Sequence, residues 1–289
     1  VNKILKKEQL SKDVFLMVLD APAIAASRKA GQFVILMIDD GYAERIPLTI
    51  ADADETAGTV TIIFQAVGGT TKRLSALKAG EYIAHVLGPL GQPTHIEKYD
   101  APVVCVGGGI GVAPLHPIVQ AMKRAGNRVI VIMGARNADL LILEREMGAL
   151  ADELIICTDD GSKGRKALVT EPLKELCEAG VPPAEVVAIG PPVMMKFCAA
   201  TTKPFGVHTV VSLNTIMVDG TGMCGGCRVA VGGKTKFVCV DGPEFDGHQV
   251  DFDSMIRRLS SYKTEEAAHA CRLSAAAEKL VAVTAQGGN

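Results

Sequence analysis

Hydrophobic and polar positions change rhythm twice along the chain, and the changes mark out three segments. Up to about residue 97 the apolar residues fall in short alternating runs, DVFLMVLD (13–20), QFVILMI (32–38) and VTIIFQAV (60–67), separated by Gly, Asp and Pro turns. Alternation of this kind predicts strands buried on one face, and several in succession predict an antiparallel barrel. From Ala101 the apolar runs become continuous and alternate with helix-period segments. They are APVVCVGG, a helix through Ala125, RVIVIMG, a helix through Leu150, ELIICTD, a helix near Leu173, and EVVAIGPP. That alternation predicts a parallel sheet covered by helices. After Gly206, HTVVSLNTIMV leads into a glycine- and cysteine-rich stretch, then into two helical segments, SMIRRLSSY and EEAAHACRLSAAAEKLVA. The tail AQGGN is expected to fray. The predicted fold class is a β-barrel plus an α/β unit, divided as 1–97, 98–207 and an appendage at 208–289.

Composition adds exclusions. A chain of 289 residues with 48% hydrophobic and 21% charged content is an ordinary globular protein of two or three modest domains. A net charge of -2 with interleaved signs supplies no basic field for nucleic acid and no polybasic patch for a membrane surface. The most apolar stretch, Ala101 to Met122, is broken by seven glycines and prolines and by His116, so it does not read as a membrane span. The start VNKILKKEQLSKDVF has lysines without a following apolar region, so no secretory signal is expected. Eight cysteines with only three closely spaced fit a reducing compartment, and cytoplasm is the expected location.

The three spaced cysteines lie in VDGTGMCGGCRVAVGGKTKFVC, where Asp219, Cys224, Cys227 and Cys239 reproduce the plant-type [2Fe-2S] spacing with aspartate in the first position. Gly220, Gly222, Gly225 and Gly226 suit a loop that turns tightly and aims N–H groups at sulfur. The same donors would also serve a structural zinc site, and Asp-Gly is a common turn pair in its own right.

A second signal is GGGIGVAP (107–114), which follows an apolar run and opens a helix. Gly107, Gly108, Gly109 and Gly111 would there present backbone N–H groups to a pyrophosphate, or serve as a purely structural strand-to-helix turn, and Pro114 suits the first helical turn. The strict G-x-G-x-x-G fingerprint is absent, because its last glycine falls on Val112 or Pro114. Three more strand ends, Gly134 to Arg136, Thr158-Asp159-Asp160-Gly161 and Gly190-Pro191, share the expected ligand-binding edge. Met194 and Met195 read as packing beside it. His116 reads as a packed helix-face residue, and Cys105, Cys157, Cys177, Cys198 and Cys271 as buried small hydrophobes. In the barrel segment, Arg45 with Pro47, Leu48 and Thr49, Phe64 on the neighbouring run, and the turn Gly68-Gly69-Thr70-Thr71 form a candidate flavin-phosphate site.

Taken in this order over nearly the whole chain, the motifs resemble the ferredoxin-NADP reductase superfamily. The resemblance implies that Arg45, Pro47 and Thr49, with Gly68, Thr70 and Thr71, hold FAD in the barrel. It implies that Gly107, Gly108, Gly109, Gly111 and Pro114, with Gly190, Pro191, Met194 and Met195, bind NAD(H) in the α/β unit. The C-terminal [2Fe-2S] segment narrows the likeness to two groups. One is the electron-transfer subunits of type B dihydroorotate dehydrogenase, whose cluster has four cysteines. The other is the small subunits of NADH-dependent reduced ferredoxin:NADP oxidoreductases, also called sulfide dehydrogenases, which are similar in having an aspartate ligand. Asp219 favours the second. That likeness implies a larger partner subunit carrying FAD and [4Fe-4S] clusters and binding NADP(H), with ferredoxin served through the complex and electron bifurcation taking place in the larger subunit. A zinc-stapled, non-enzymatic binding module on the same fold is the alternative from a different class.

Overall fold

The computed structural model describes residues 2–40 and 44–261. The second predicted C-terminal helix and Cys271 lie outside the described residues.

Six strands, β1 (Ile4–Ser11), β2 (Val14–Asp20), β3 (Phe33–Met37), β4 (Ile46–Asp54), β5 (Thr59–Gln65) and β6 (His85–Leu90), form an antiparallel sheet in the order β1-β2-β5-β4-β3-β6. Backbone bonds from Ile4 to Glu81 and from Ile83 to Asn2 join its two edges. The alternation in the sequence sets the inside: Val60, Ile62 and Phe64 of β5 fill the barrel core with Met17 and Leu19 of β2, while Ile63 points out into the next unit. Two short helices, α1 (Pro22–Ser27) and α2 (Gly69–Ala76), pack on the barrel through Ile24 and Leu74.

A seven-stranded sheet follows, ordered β10-β9-β8-β7-β11-β12-β15. Its strands are β7 (Val103–Gly108), β8 (Val129–Ala135), β9 (Glu153–Thr158), β10 (Arg165–Lys166), β11 (Glu185–Ile189), β12 (His208–Ser212) and, after a two-stranded hairpin of β13 (Arg228–Val231) and β14 (Lys234–Phe237), β15 (Glu244–Asp246). All neighbours are parallel except β12 and β15. Every residue of β7 and β11 is buried, as expected of central strands covered on both faces. The covering helices include α3 (Val112–Arg124), α4 (Glu144–Leu150), α5 (Thr170–Glu178) and α6 (Pro192–Thr202). The one-turn α7 (Val238–Asp241) and α8 (Phe252–Ser260) complete the C-terminal part, and α8 corresponds to the predicted helix in SMIRRLSSY.

The sheet extends past the expected unit boundary at residue 208, because β12 pairs with β11 and β15 returns antiparallel to the outer edge of β12. The barrel is tied to this returning strand. Gln92 donates its N–H to Gly242 O at 2.7 Å and its side-chain amide to Val240 O at 2.9 Å. Thr94 Oγ1 donates to Glu244 Oε1 at 2.6 Å. Burial pushes the Glu244 carboxyl up to about 7; the Thr94 bond opposes this and the charge of Glu185 adds to it.

Because this pKa is raised in the folded state, stability is fully present below the unfolded pKa of about 4.5 and is lost as pH rises through about 7. Glu244→Gln should therefore unfold at a higher temperature than the parent at about pH 8, with the gap closing at about pH 4.5. Thermal denaturation at the two pH values checks this; a gap that does not change with pH refutes it.

Candidate functional site

Strand order reverses at β7, which has β8 on one side and β11 on the other, so a crevice opens at their C-terminal ends. Into it runs the glycine turn. Gly109 adopts φ +54°, and a Cβ there would meet no protein atom within 4 Å, so the turn faces open space. At Gly111 a Cβ would lie 2.2 Å from the Ile189 carbonyl oxygen, so only glycine lets the start of α3 rest on the end of β11. The Val112 N–H that follows is taken by the carbonyls of Gly109 and Ile110, and Pro114 has none, so the N–H groups that could meet an anion at this junction are those of the Gly109 to Gly111 turn.

The crevice widens into a cleft of about 960 Å³ between sheet and barrel. Pro47, Leu48, Thr49, Phe64 and Thr71 line it from the barrel. Gly108, Gly109, Gly111 and Pro114, with Gly134, Arg136 and Asp159, line it from the sheet, and Gly190, Pro191 and Met194 complete that wall. A third wall went unpredicted: Ser212, Leu213, Asn214 and Met217, which lead from β12 toward the cysteine loop, and Pro243 beyond it. The signal for it was the apolar continuity of HTVVSLNTIMV, which carries the chain from the sheet straight into that loop.

The other predicted residues lie off this lining. Gly107 is buried one residue behind the turn against Val112. The Asp160 carboxylate accepts from Ser162 N at 2.9 Å and Ser162 Oγ at 2.6 Å, which holds it below the usual carboxylate range, and Gly161 abuts Lys166. Lys163 is paired with Glu144 at 2.6 Å, and Arg165 is held bidentately by Glu175 at 2.8 and 2.6 Å. Arg136 and Asp159 are therefore the charged residues facing the cleft among those described.

The Gly68-Gly69-Thr70-Thr71 turn is the start of α2. Thr71 Oγ1 accepts from Gly68 N at 2.9 Å, and Thr70 Oγ1 donates to Glu44 at 2.7 Å. Arg45 lines a second concavity of about 460 Å³, where His85 and Leu87 of the barrel meet Asp219, Thr221 and Met223 of the cysteine loop.

That loop is shaped by the β13/β14 hairpin, whose Gly232-Gly233 turn pairs Arg228 with Phe237. The register sets Cys227 opposite Val238, whose N–H donates to the Cys227 carbonyl at 3.2 Å, and the turn into α7 then brings Cys239 onto Cys227, with their sulfurs 3.2 Å apart, well beyond a disulfide bond. Asp219 and Cys224 form a second pair: Asp219 Oδ2 accepts from Cys224 N at 2.6 Å and also meets its thiol, while Oδ1 accepts from Thr221 N at 2.8 Å. These bonds hold the Asp219 carboxyl below the usual carboxylate range, the Thr221 N–H contributing most. Gly220, Gly222 and Gly225 take positive φ within the turn, and Gly226 N donates to Cys224 Sγ at 3.4 Å. Arg228 and Arg258 clamp the loop through the carbonyls of Gly225 and Gly226, each at 3.2 Å.

Among the described residues no three of His, Cys, Asp or Glu converge on one point as a single-ion site. The donors come as two pairs, and two sulfide-bridged irons require two protein donors each, so the set fits a [2Fe-2S] cluster. Burial pushes the Cys239 thiol up, with the hydrogen bond and charge of Cys227 adding to the shift.

No helix among the described residues is long and apolar enough to cross a membrane. Residues 105–200 match the family described as the oxidoreductase NAD-binding domain, and residues 214–251 match the iron-sulfur cluster binding domain of dihydroorotate dehydrogenase B. The chain is 49% identical over 271 residues to an uncharacterized protein in the adh 3' region of Clostridium beijerinckii, covering 91% of each. It is 45% identical over 267 residues to a dihydroorotate dehydrogenase B (NAD(+)) electron transfer subunit homolog of Thermotoga maritima, covering 92% of this chain and 93% of the relative. Among solved structures it is similar to a chain of the NADH-dependent reduced ferredoxin-NADP oxidoreductase, studied for flavin-based electron bifurcation. There the TM-score is 0.89 at 43% identity, over 94% of this chain and 97% of that one. Phthalate dioxygenase reductase, at 16% identity and TM-score 0.56 over 79% of this chain and 85% of that one, shares the fold alone. The matched NAD-binding span contains the glycine turn and the matched iron-sulfur span contains all four donors, and the chain belongs to the oxidoreductase family of electron-transfer subunits that includes those of dihydroorotate dehydrogenase B.

Proposed function

We propose that this chain is the NADH-linked electron-transfer subunit of a ferredoxin:NADP transhydrogenase complex, holding FAD in the barrel cleft and a [2Fe-2S] cluster in the C-terminal loop. The observation that carries the reading is the third wall: one segment, Ser212 to Met217, lines the cleft and then runs into Asp219. Cleft and cluster loop are thereby neighbours. The 43% identity to the reduced ferredoxin-NADP oxidoreductase chain, and aspartate in the first donor position, favour this complex. The dihydroorotate-linked role is the second reading, favoured by the names of several relatives, among them a Bacillus cereus electron transfer subunit at 31% identity.

Bound FAD supplies exchange between two-electron and one-electron chemistry, and the cluster supplies single-electron transfer. The chain's residues bind and orient. The Gly109 to Gly111 turn and the start of α3 receive the nicotinamide pyrophosphate, while Gly190, Pro191 and Met194 shape the space for the ring. Asp159 accepts a ribose hydroxyl and repels a 2'-phosphate, and Lys163 and Arg165, engaged by Glu144 and Glu175, are not available to welcome one. Pro47, Leu48 and Thr49 would line the flavin, with Thr71 at the start of α2 toward its phosphates and Arg45 turning to them from the second concavity. A larger subunit with FAD and [4Fe-4S] clusters, binding NADP(H), is the partner. The seven described cysteines are all free, which suits the cytoplasm.

The purified chain should bind one FAD per chain and use NADH over NADPH by at least about tenfold in kcat/KM, equivalent to about 1.4 kcal/mol. Asp159→Asn should narrow that gap in steady-state assays with an artificial acceptor, and a preference for NADPH in the parent would reverse the assignment. Arg45→Ala should release FAD while iron stays; flavin retained with unchanged affinity would remove Arg45 from the site. Cys227→Ala should lose iron and the electron paramagnetic resonance signal of the reduced cluster while NADH-to-dye activity persists. Asp219→Cys should keep iron at a shifted potential. An unchanged signal and potential in both Asp219→Cys and Asp219→Ala would make Asp219 a turn residue only.

A further inference from the structure

β4 supplies one wall of the cleft through Pro47, Leu48 and Thr49, and α3 supplies the other through Pro114. A few residues beyond each wall the two elements touch. The pairing of β4 with β5 slips between Ile50 and Asp52, so Ala51 is the extra residue of a β-bulge. Pairing of β4 with β3 ends at Thr49, so the bulge lies beyond the β3 ladder. The Ala51 carbonyl is met by His116, whose Nδ1 lies 3.1 Å away.

Both residues are buried, Ala51 to 2% and His116 to 8% exposure, and Ala51 sits in an apolar cluster with Val112, Leu115 and Val119 of α3. A carbonyl only accepts, so Nδ1 carries the proton, and Nε2 is left to accept from the Gln120 amide at 3.5 Å. At the same corner Arg28 reaches Asp52 at 3.3 Å. The bond thus joins the flavin wall to the nucleotide wall through a buried contact, where losing the donor takes a hydrogen bond from a buried carbonyl.

We propose that His116 is a positioning residue for the redox step: by holding the bulge of β4 against α3 it fixes the separation of the two cleft walls, and with it the approach of the nicotinamide to the flavin. The inference rests on the proposed use of the cleft for NADH and FAD. A displacement of about 1 Å between reacting groups costs up to about a hundredfold in rate, so a single wall-to-wall bond is enough to matter.

The test is stopped-flow reduction of the FAD-loaded chain by NADH and by 4-deuterated NADH, with flavin content, iron content and NADH affinity measured alongside. Asn places its amide where Nδ1 stands, Gln places it where Nε2 stands, and Leu offers no donor. His116→Leu and His116→Gln should slow flavin reduction ~10–100-fold, with an altered isotope effect and NADH affinity within about threefold of the parent. His116→Asn should restore most of the rate. Equal rates in the Asn and Gln variants overturn the proposal even if the Leu variant fails to fold. Loss of flavin and NADH affinity in step with the rate makes His116 a structural residue only and overturns it too. A parent chain that binds FAD and is not reduced by NADH would overturn the reading of the cleft, and this inference with it.

Discussion

Gly111 comes so near the Ile189 carbonyl that a Cβ would stand 2.2 Å from the oxygen, and this contact seats the start of α3 on the end of β11. Much else depends on it. With α3 seated there, the turn before it opens into the crevice beside β7, and the flank of the helix is carried onto the barrel strand β4. The apolar cluster shared by Val112, Leu115 and Ile118 with Ala51 and Ile63 then closes the joint between the two units. A side chain larger than glycine would lift the helix from the sheet and disturb both surfaces together.

The rhythm of the sequence carried most of the architecture. Period-two runs became barrel strands with Val60, Ile62 and Phe64 facing in, and continuous runs became the buried strands β7 and β11. Local patterning suffices there because each strand's burial depends on its own alternation. The nearness of two of the cysteines was also legible, since a hairpin with a Gly-Gly turn sets Cys227 opposite Val238, one residue from Cys239, which the turn into α7 then brings onto it. What stayed hidden depends on long-range pairing. Nothing local in EFD announces a return to the far edge of a sheet begun at Val103, so the boundary at 208 set β12 and β15 apart from the sheet they complete. Nor does the order of residues say which way Arg45 turns, or that Lys163 and Arg165 are already engaged by Glu144 and Glu175.

The candidate site shows the same division. Backbone features, the glycine turn and the strand ends, could be read because they are tied to strand-helix junctions. The third cleft wall left only the apolar run HTVVSLNTIMV as its trace, because Leu213 and Met217 gain their meaning from the barrel residue Phe33, which lines the same cleft. His116 was placed as packing and assigned no role, since its partner is a main-chain oxygen at an irregularity in another unit.

The pairing of β12 with β15 has a consequence for traffic outside the molecule. The donor loop leaves the sheet after Ser212 and its following segment is woven back at Glu244, with Gln92 and Thr94 fastening it to the barrel. Electron carriers slung on a free linker can swing between donor and acceptor and trade reach against time. This loop is anchored at both ends and has no such tether. A redox partner must dock against it, and the span between loop and partner is set by the fit of that docked surface and not by how far an arm can reach.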